Sequence, residues 1–157
     1  MDYIQQWQQN LKQASQEGNL RRLIDDAIYD LTPEILAMNL AQIDASAGFD
    51  DKSLHNPGYK GTYSKNTSIS AFSKGLYKPA GSKYDFQWTG RFRSGFEILD
   101  RPTGYAIDSA GAYGSDGKTE FFEGYENMFG LDSANTATIE NEVLYYVLEK
   151  SLNQIYG

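Results

Sequence analysis

A long stretch without hydrophobic periodicity, residues 47–85, most constrains the fold of this chain. Glycine, proline, serine and lysine dominate the stretch, and its aromatic residues are irregularly spaced. Loops longer than about 12–15 residues are uncommon in compact domains and are usually functional or disordered. Because a simple linker has no need of aromatic residues, we expect residues 46–86 to form an extended arm that docks on a partner.

The N-terminal third of the chain has the apolar spacing of helices. Apolar residues recur at steps of three and four in Asp2–Glu17, and a second, shorter stripe covers Leu20–Leu31. Thr32 and Pro33 predict that a new helix begins there and continues to about Ala45. Threonine caps helices, and proline suits the first helical position because its missing N–H needs no partner there.

Beyond the arm, the pattern is that of strands followed by a helix. Order returns at Trp88, and the alternation of residues from Phe92 to Ile98 predicts a strand with an aromatic face. Arg101–Gly104 supplies a turn to a returning strand at Tyr105–Asp108. A last helix of about 23 residues begins at Asp132 or Ser133. We expect its apolar stripe to lie in the core; the stripe comprises Ile139, Val143, Leu144, Val147, Leu148, Leu152 and Ile155.

These elements fit a single domain covering all 157 residues. We predict an α+β fold with N-terminal helices, a long extended basic loop, a small antiparallel β-hairpin and a long C-terminal helix.

The net charge of −7 conceals an uneven distribution along the chain. Eight lysine and arginine residues and one acid, Asp85, lie between Lys52 and Arg93, whereas the rest of the chain is strongly acidic. Such polarity presents a basic surface to an anionic partner or to acidic neighbours. Two interpretations stay open for this surface. Aromatic and basic side chains bind single-stranded nucleic acid by stacking and phosphate contacts, and tyrosine and arginine also anchor protein interfaces, the interpretation we favour.

The stretch AYGSDGKT, residues 112–119, satisfies a permissive form of the nucleotide-binding P-loop. A working P-loop follows a buried apolar strand and opens a helix whose N-terminus holds the phosphates. Here the preceding strand, YAID, is short and polar, and an acidic residue directly follows Thr119. We therefore interpret Gly114–Gly117 as a turn.

The sequence contains no other recognisable catalytic or metal-binding pattern. Cysteine is absent and His55 is the single histidine, so the chain lacks the residues from which histidine-based triads and zinc sites are formed. The acidic pairs Asp25–Asp26 and Asp50–Asp51 are adjacent in sequence, and neighbouring side chains point apart. A two-carboxylate hydrolase, which needs convergence in a cleft, has weak support. We expect no enzymatic activity, no cofactor and no metal.

Neither end of the chain nor its interior suggests a membrane partner. No apolar run approaches the roughly 18 residues that span a bilayer. The first residues, MDYIQQWQQN, lack the basic and apolar regions of a signal peptide. We expect a protein of the cytoplasm, or of something assembled there.

Two segments carry a resemblance to a known group of proteins. The first is YDFQWTGRFRSGFEI, with Thr89-Gly90 opening an aromatic segment, and the second is GKTEFFEGYENMFGLD, with Lys118-Thr119 leading to Tyr125–Leu131. The basic stretch NPGYKGTYSKNT adds a Tyr-Ser-x-x-Thr pattern. Together they resemble small virion proteins of tailed bacteriophages, especially phages of Bacteroides-type bacteria, over residues 40–156. Glu126 departs from the pattern, which favours a small residue there.

This resemblance implies a head–tail connector, neck or tail-completion subunit that forms a ring between portal and tail in the virion. Its partners would be neighbouring copies, portal or adaptor proteins and tail proteins, and its basic residues would face either these proteins or packaged DNA. The alternative is a nucleic-acid-binding module that uses the basic aromatic loop 52–93. The candidate interface residues are Tyr59, Lys60, Tyr63, Lys65, Phe72, Lys74, Tyr77, Lys78, Lys83, Trp88, Arg91 and Arg93.

Overall fold

The computed structural model describes residues 5, 8–10, 12, 16–54, 61–87, 90–110 and 125–156. It confirms the α+β fold class, with helices, a two-stranded antiparallel sheet and a long C-terminal helix. The elements in chain order are α1 (Glu17–Asp44), α2 (Lys65–Phe72), α3 (Arg91–Ser94), β1 (Phe96–Arg101), β2 (Gly104–Ser109), a 3₁₀ turn (Glu126–Met128) and α4 (Ser133–Tyr156).

The chain divides into two compact units. The first unit comprises Met1–Ile35 and Ala134–Gly157, and the second comprises Leu36–Ser133. The P-loop-like stretch at 112–119 falls in the second unit but lies outside the described residues.

In the first unit, α1 and α4 supply the buried apolar side chains. Leu23, Ala27 and Ile35 of α1 and Ile139 of α4 are buried there. At the surface, the side-chain amide of Asn19 donates a hydrogen bond of 3.0 Å to Oε1 of Gln154. Apolar burial therefore stabilises this unit, and a hydrogen bond between side chains links α1 to α4 at its surface.

Helix α1 does not break at Thr32-Pro33, which corrects the prediction of two helices. It continues through Pro33 to Asp44. The Thr32 hydroxyl donates a 2.8 Å hydrogen bond to the Ile28 carbonyl one turn earlier, so Thr32 is an interior residue of the helix. The packing of buried residues on both sides of Pro33, Ala27 and Ile35 among them, outweighs the backbone hydrogen bond that proline cannot donate.

The core of the second unit is largely aromatic. Phe86, Phe92, Phe96 and Tyr125 are buried together with Met128. The ring centroids of Phe86 and Tyr125 are 5.2 Å apart, and those of Phe92 and Phe96 are 5.0 Å apart, both pairs edge to face. Edge-to-face pairs contribute about 0.5–1.5 kcal/mol each beyond the area that they bury.

The β-hairpin is confirmed, but β1 begins later than the alternating pattern predicts. Phe92 lies in the short helix α3, and the strand begins at Phe96, which pairs with Ser109. The Ser109 hydroxyl donates a 2.6 Å hydrogen bond to the Phe92 carbonyl. Phe92 and Phe96 are four residues apart, so the spacing fits a helical turn that leads into a strand as well as it fits a continuous strand.

Residues 46–86 differ from the predicted extended arm because they contain a helix and buried side chains. Helix α2 begins after Ser64, whose hydroxyl accepts a 3.1 Å hydrogen bond from the Thr67 N–H. Ala71 of α2 is fully buried. We call residues 61–87 the basic segment, since they contain four lysines and one acid.

Candidate interaction site

The two ends of the basic segment are joined by backbone hydrogen bonds. An isolated antiparallel bridge pairs Thr62 with Lys83. The Tyr63 N–H donates to the Ser82 carbonyl at 2.9 Å, and the Gly81 N–H donates to the Tyr63 carbonyl at 2.8 Å. The chain between these ends, including α2, therefore forms a loop whose two ends are held together. We call these joined ends the base of the basic segment.

A polar cluster next to this bridge strengthens the base. The Lys78 ammonium donates to Oδ2 of Asp85, and the Tyr63 hydroxyl donates to Oδ1 of the same carboxylate at 2.7 Å. The Gln87 N–H adds a further hydrogen bond to Oδ1 at 2.9 Å. Lys78 is only 7% exposed, so its charge is paired within the protein.

The cluster shifts two ionisation equilibria in opposite senses. Burial raises the pKa of Asp85, but the hydrogen bonds from Lys78, Tyr63 and Gln87 outweigh it and leave this pKa below its ordinary value. Burial, followed by the hydrogen bond to Asp85, raises the pKa of the Tyr63 hydroxyl. At neutral pH the cluster therefore holds an ionised Asp85 beside a protonated Tyr63.

Arg93 anchors α3 to the end of α1 rather than facing a partner. Its guanidinium donates to both carboxylate oxygens of Asp44, at 2.6 and 2.9 Å, and to the Asp85 carbonyl at 3.3 Å. The hydrogen bond to Asp44 raises the pKa of Arg93 above its ordinary value. Arg93 thus connects the base of the basic segment to α1 within the second unit.

Opposite the buried Ala71, α2 presents apolar side chains to solvent. Ile69 and Phe72 are three residues apart and share one helix face, and both are largely exposed. Phe72 is 81% exposed, and Tyr77, just beyond the helix, is 87% exposed. Lys65 lies on the same face as Ile69, one turn earlier, and is also exposed. We call the face formed by Lys65, Ile69, Phe72 and Tyr77 the basic face.

The structure separates the sequence-predicted interface residues into three groups. Tyr63 and Lys78 are buried and Arg93 is paired, which corrects the expectation that these three side chains meet a partner. Tyr59, Lys60 and Trp88 lie outside the described residues. The exposed remainder comprises Lys65, Phe72, Lys74, Tyr77, Lys83 and Arg91.

Sequence reasoning missed Ile69 because no helix was predicted for its segment. The available signal was local: Ser64 at a helix N-cap position, and Gly75, which adopts a left-handed conformation of φ 73° after the helix. The helix sequence KNTSISAF contains few strong helix formers, so propensity gave little indication of it.

A second exposed apolar face lies on α4 in the first unit. Leu144, Leu148 and Leu152 are each about half exposed, which corrects the prediction that this stripe is buried throughout. Tyr145 and Tyr156 are also exposed. The three leucines are four residues apart and form one row, which begins one turn earlier with the exposed Glu140. We call Glu140, Leu144, Leu148 and Leu152 the leucine row.

The acidic pairs are engaged in surface contacts. Asp25 and Asp26 pair with Arg21 and Arg22 one turn earlier, at 2.8 and 3.7 Å. A hydrogen bond from the Asn127 side chain lowers the pKa of Asp50. Within the described part of the chain, no three histidine, cysteine or acidic side chains are grouped to hold a metal ion, and none of the helices is long and apolar enough to span a membrane. His55 lies outside that part.

Comparisons of the chain with protein-family models, with curated proteins and with solved structures gave no match.

Proposed function

We propose that this chain is a structural virion protein of a tailed bacteriophage, a subunit of the ring that connects portal and tail at the head–tail interface. It acts by binding other proteins and carries out no reaction. The sequence resemblance over residues 40–156 supports the class. The basic face supports the mode of action, and it is the observation on which the proposal depends.

The basic face has the composition of a protein-binding surface. Exposed apolar side chains grouped together mark interaction sites on soluble proteins, and aromatic residues dominate the energetics of interfaces. Phe72 and Tyr77 project from a segment whose base is held by the Tyr63–Asp85–Lys78 cluster. Because that base is ordered before binding, less conformational entropy is lost when the aromatic side chains dock.

The test is incorporation of variants into phage particles. The double substitution Phe72→Ser and Tyr77→Ser removes both aromatic rings from the surface without touching the core, so we expect a folded protein that particles incorporate about tenfold less. Tyr29, an exposed tyrosine of α1, provides the control: Tyr29→Ser is expected to incorporate normally. Equal incorporation of the double variant and the control contradicts the proposal.

A nucleic-acid-binding module is the second candidate, and the exposed aromatics among lysines favour it. Bases stack on such rings while lysines contact phosphates. Its signature is binding of a short single-stranded DNA by the purified protein, with an affinity that falls steeply with salt. Changing Lys65, Lys74 and Lys83 to Gln then lowers the salt dependence by about one phosphate contact per lysine. A connector subunit instead binds DNA weakly. The three lysine substitutions then leave its incorporation into phage particles unchanged.

A further inference from the structure

We infer that the leucine row of one copy binds the basic face of a second copy, so that subunits associate head to tail. This inference rests on the proposed function only in that a ring requires contacts between copies. The contact itself is defined by the surfaces of this chain and is testable on the purified protein.

The two surfaces have the same pattern with opposite charge. The leucine row reads Glu140, then Leu144 and Leu148, at steps of one helical turn. The basic face reads Lys65, then Ile69 and Phe72, at steps of four and three residues. Side chains at such steps lie on one face of a helix, about 4.5–6 Å apart along the axis. Each surface is therefore an apolar ridge with a charge at its N-terminal end.

Parallel alignment of the two helices brings these features together. Lys65 of one copy then lies opposite Glu140 of the other, with Ile69 opposite Leu144. Phe72 lies opposite Leu148 in the same register, and the exposed Tyr77 follows toward Leu152. Opposite charges at the edge of an apolar contact fix the register and disfavour wrong partners.

Pairing of like surfaces is less favourable on the same grounds. Two leucine rows aligned in parallel bring together the exposed Glu140 of both copies. Two basic faces bring together lysines without any exposed acid on α2. The unlike combination removes both conflicts, and it leaves the pair with one unused surface of each kind, a basic face on one copy and a leucine row on the other. Such contacts continue from copy to copy and close into a ring where the rotation permits.

A contact of this size is weak for one pair of copies. The surface area that a helix of eight residues buries against a few leucines is below the roughly 1,200–2,000 Å² of a stable interface. Ring closure, or assembly on a partner, makes the later contacts intramolecular and raises the overall affinity without new contacts. The inferred contact therefore predicts that the chain assembles only when a template or high concentration brings copies together.

Because the chain contains no cysteine, disulfide cross-linking tests the contact directly. Ile69→Cys and Leu144→Cys are prepared as separate proteins and mixed under mild oxidation at roughly 1 mM, where even a millimolar association is populated. We expect heterodimers to form about tenfold faster than when Leu144→Cys is mixed with Thr103→Cys, an exposed site in the hairpin turn. Homodimers of either single variant that form as fast as the heterodimer, or a rate equal to the control, overturn the inference.

Charge reversal supplies the second test. Lys65→Glu and Glu140→Lys are each expected to slow this cross-linking about tenfold, and combining one substitution in each partner is expected to restore it. Absence of this rescue contradicts the proposed register. Failure of the proposed function gives a different result, since the cross-link then persists in purified protein that phage particles do not incorporate.

Discussion

Lys78 and Asp85 show how single residues determine the form of the basic segment. The sequence places Lys78 in a lysine-rich loop, where a solvated side chain is the ordinary expectation. Its burial depends on Asp85 seven residues later and on Tyr63 from the other end of the segment. Periodicity in the sequence does not indicate which distant residues meet, so Tyr63 and Lys78 were expected at an interface although the structure buries both.

Removing one member of the ion pair is expected to destabilise the protein more than replacing the buried cation by an apolar side chain. Asp85→Ala leaves the buried Lys78 ammonium without its carboxylate, and we expect a loss of about 2–4 kcal/mol in the free energy of unfolding. Lys78→Met keeps most of the packing and is expected to cost about 1 kcal/mol. Urea unfolding at neutral pH measures both. A larger loss for Lys78→Met contradicts this ranking.

The lowered pKa of Asp85 predicts a specific loss of stability in acid. A carboxyl whose pKa is lower in the folded protein contributes stability above its unfolded value, and this contribution disappears as the pH falls through the folded value. The difference in unfolding free energy between the wild type and Asp85→Asn should therefore be constant down to about pH 5 and shrink below 3.8, the ordinary aspartate value. Asp30→Asn, at an exposed site, is the control. A difference that grows in acid contradicts the assignment.

At the scale of elements, periodicity predicted the two long helices and the hairpin but not their boundaries. The stripes of α1 and α4 extend over many turns, so their existence follows from the sequence. The break at Thr32-Pro33 was wrong because local signals for a helix start compete with packing along the whole of α1. Helix α2 was missed for the converse reason: tertiary contacts at Ala71 support a sequence with little helix propensity of its own.

Substitutions at Thr32 and Pro33 distinguish a continuous helix from two capped ones. In a continuous helix, Thr32→Ala is expected to be neutral or slightly stabilising, whereas loss of an N-cap costs about 1 kcal/mol. Pro33→Ala restores a backbone donor within the helix and is expected to stabilise the protein by about 1–3 kcal/mol. Thermal unfolding followed by circular dichroism measures both changes. Destabilisation by both substitutions would support a helix start at this point.

At the scale of the whole molecule, the uneven distribution of charge was visible in the sequence. Which basic residues are paired within the protein and which are exposed was not. Counting places the basic residues in one stretch, yet only the structure separates the paired Lys78 and Arg93 from the exposed Lys65. The leucine row was misassigned to the core because an apolar stripe looks the same whether it is covered by the chain itself or by a partner. Each of the two units carries one exposed apolar face, with Lys65 at the end of the basic face and Glu140 at the end of the leucine row.

The mass of the protein, alone and mixed with the portal assembly of the same genome, tests the central claim most directly. Light scattering or particle imaging at micromolar concentration measures it. The account predicts a monomer in isolation and a ring of definite copy number on the portal, because weak contacts between copies become effective once a template holds them. A protein that stays monomeric beside the portal and instead binds DNA contradicts the account and favours the nucleic-acid-binding module.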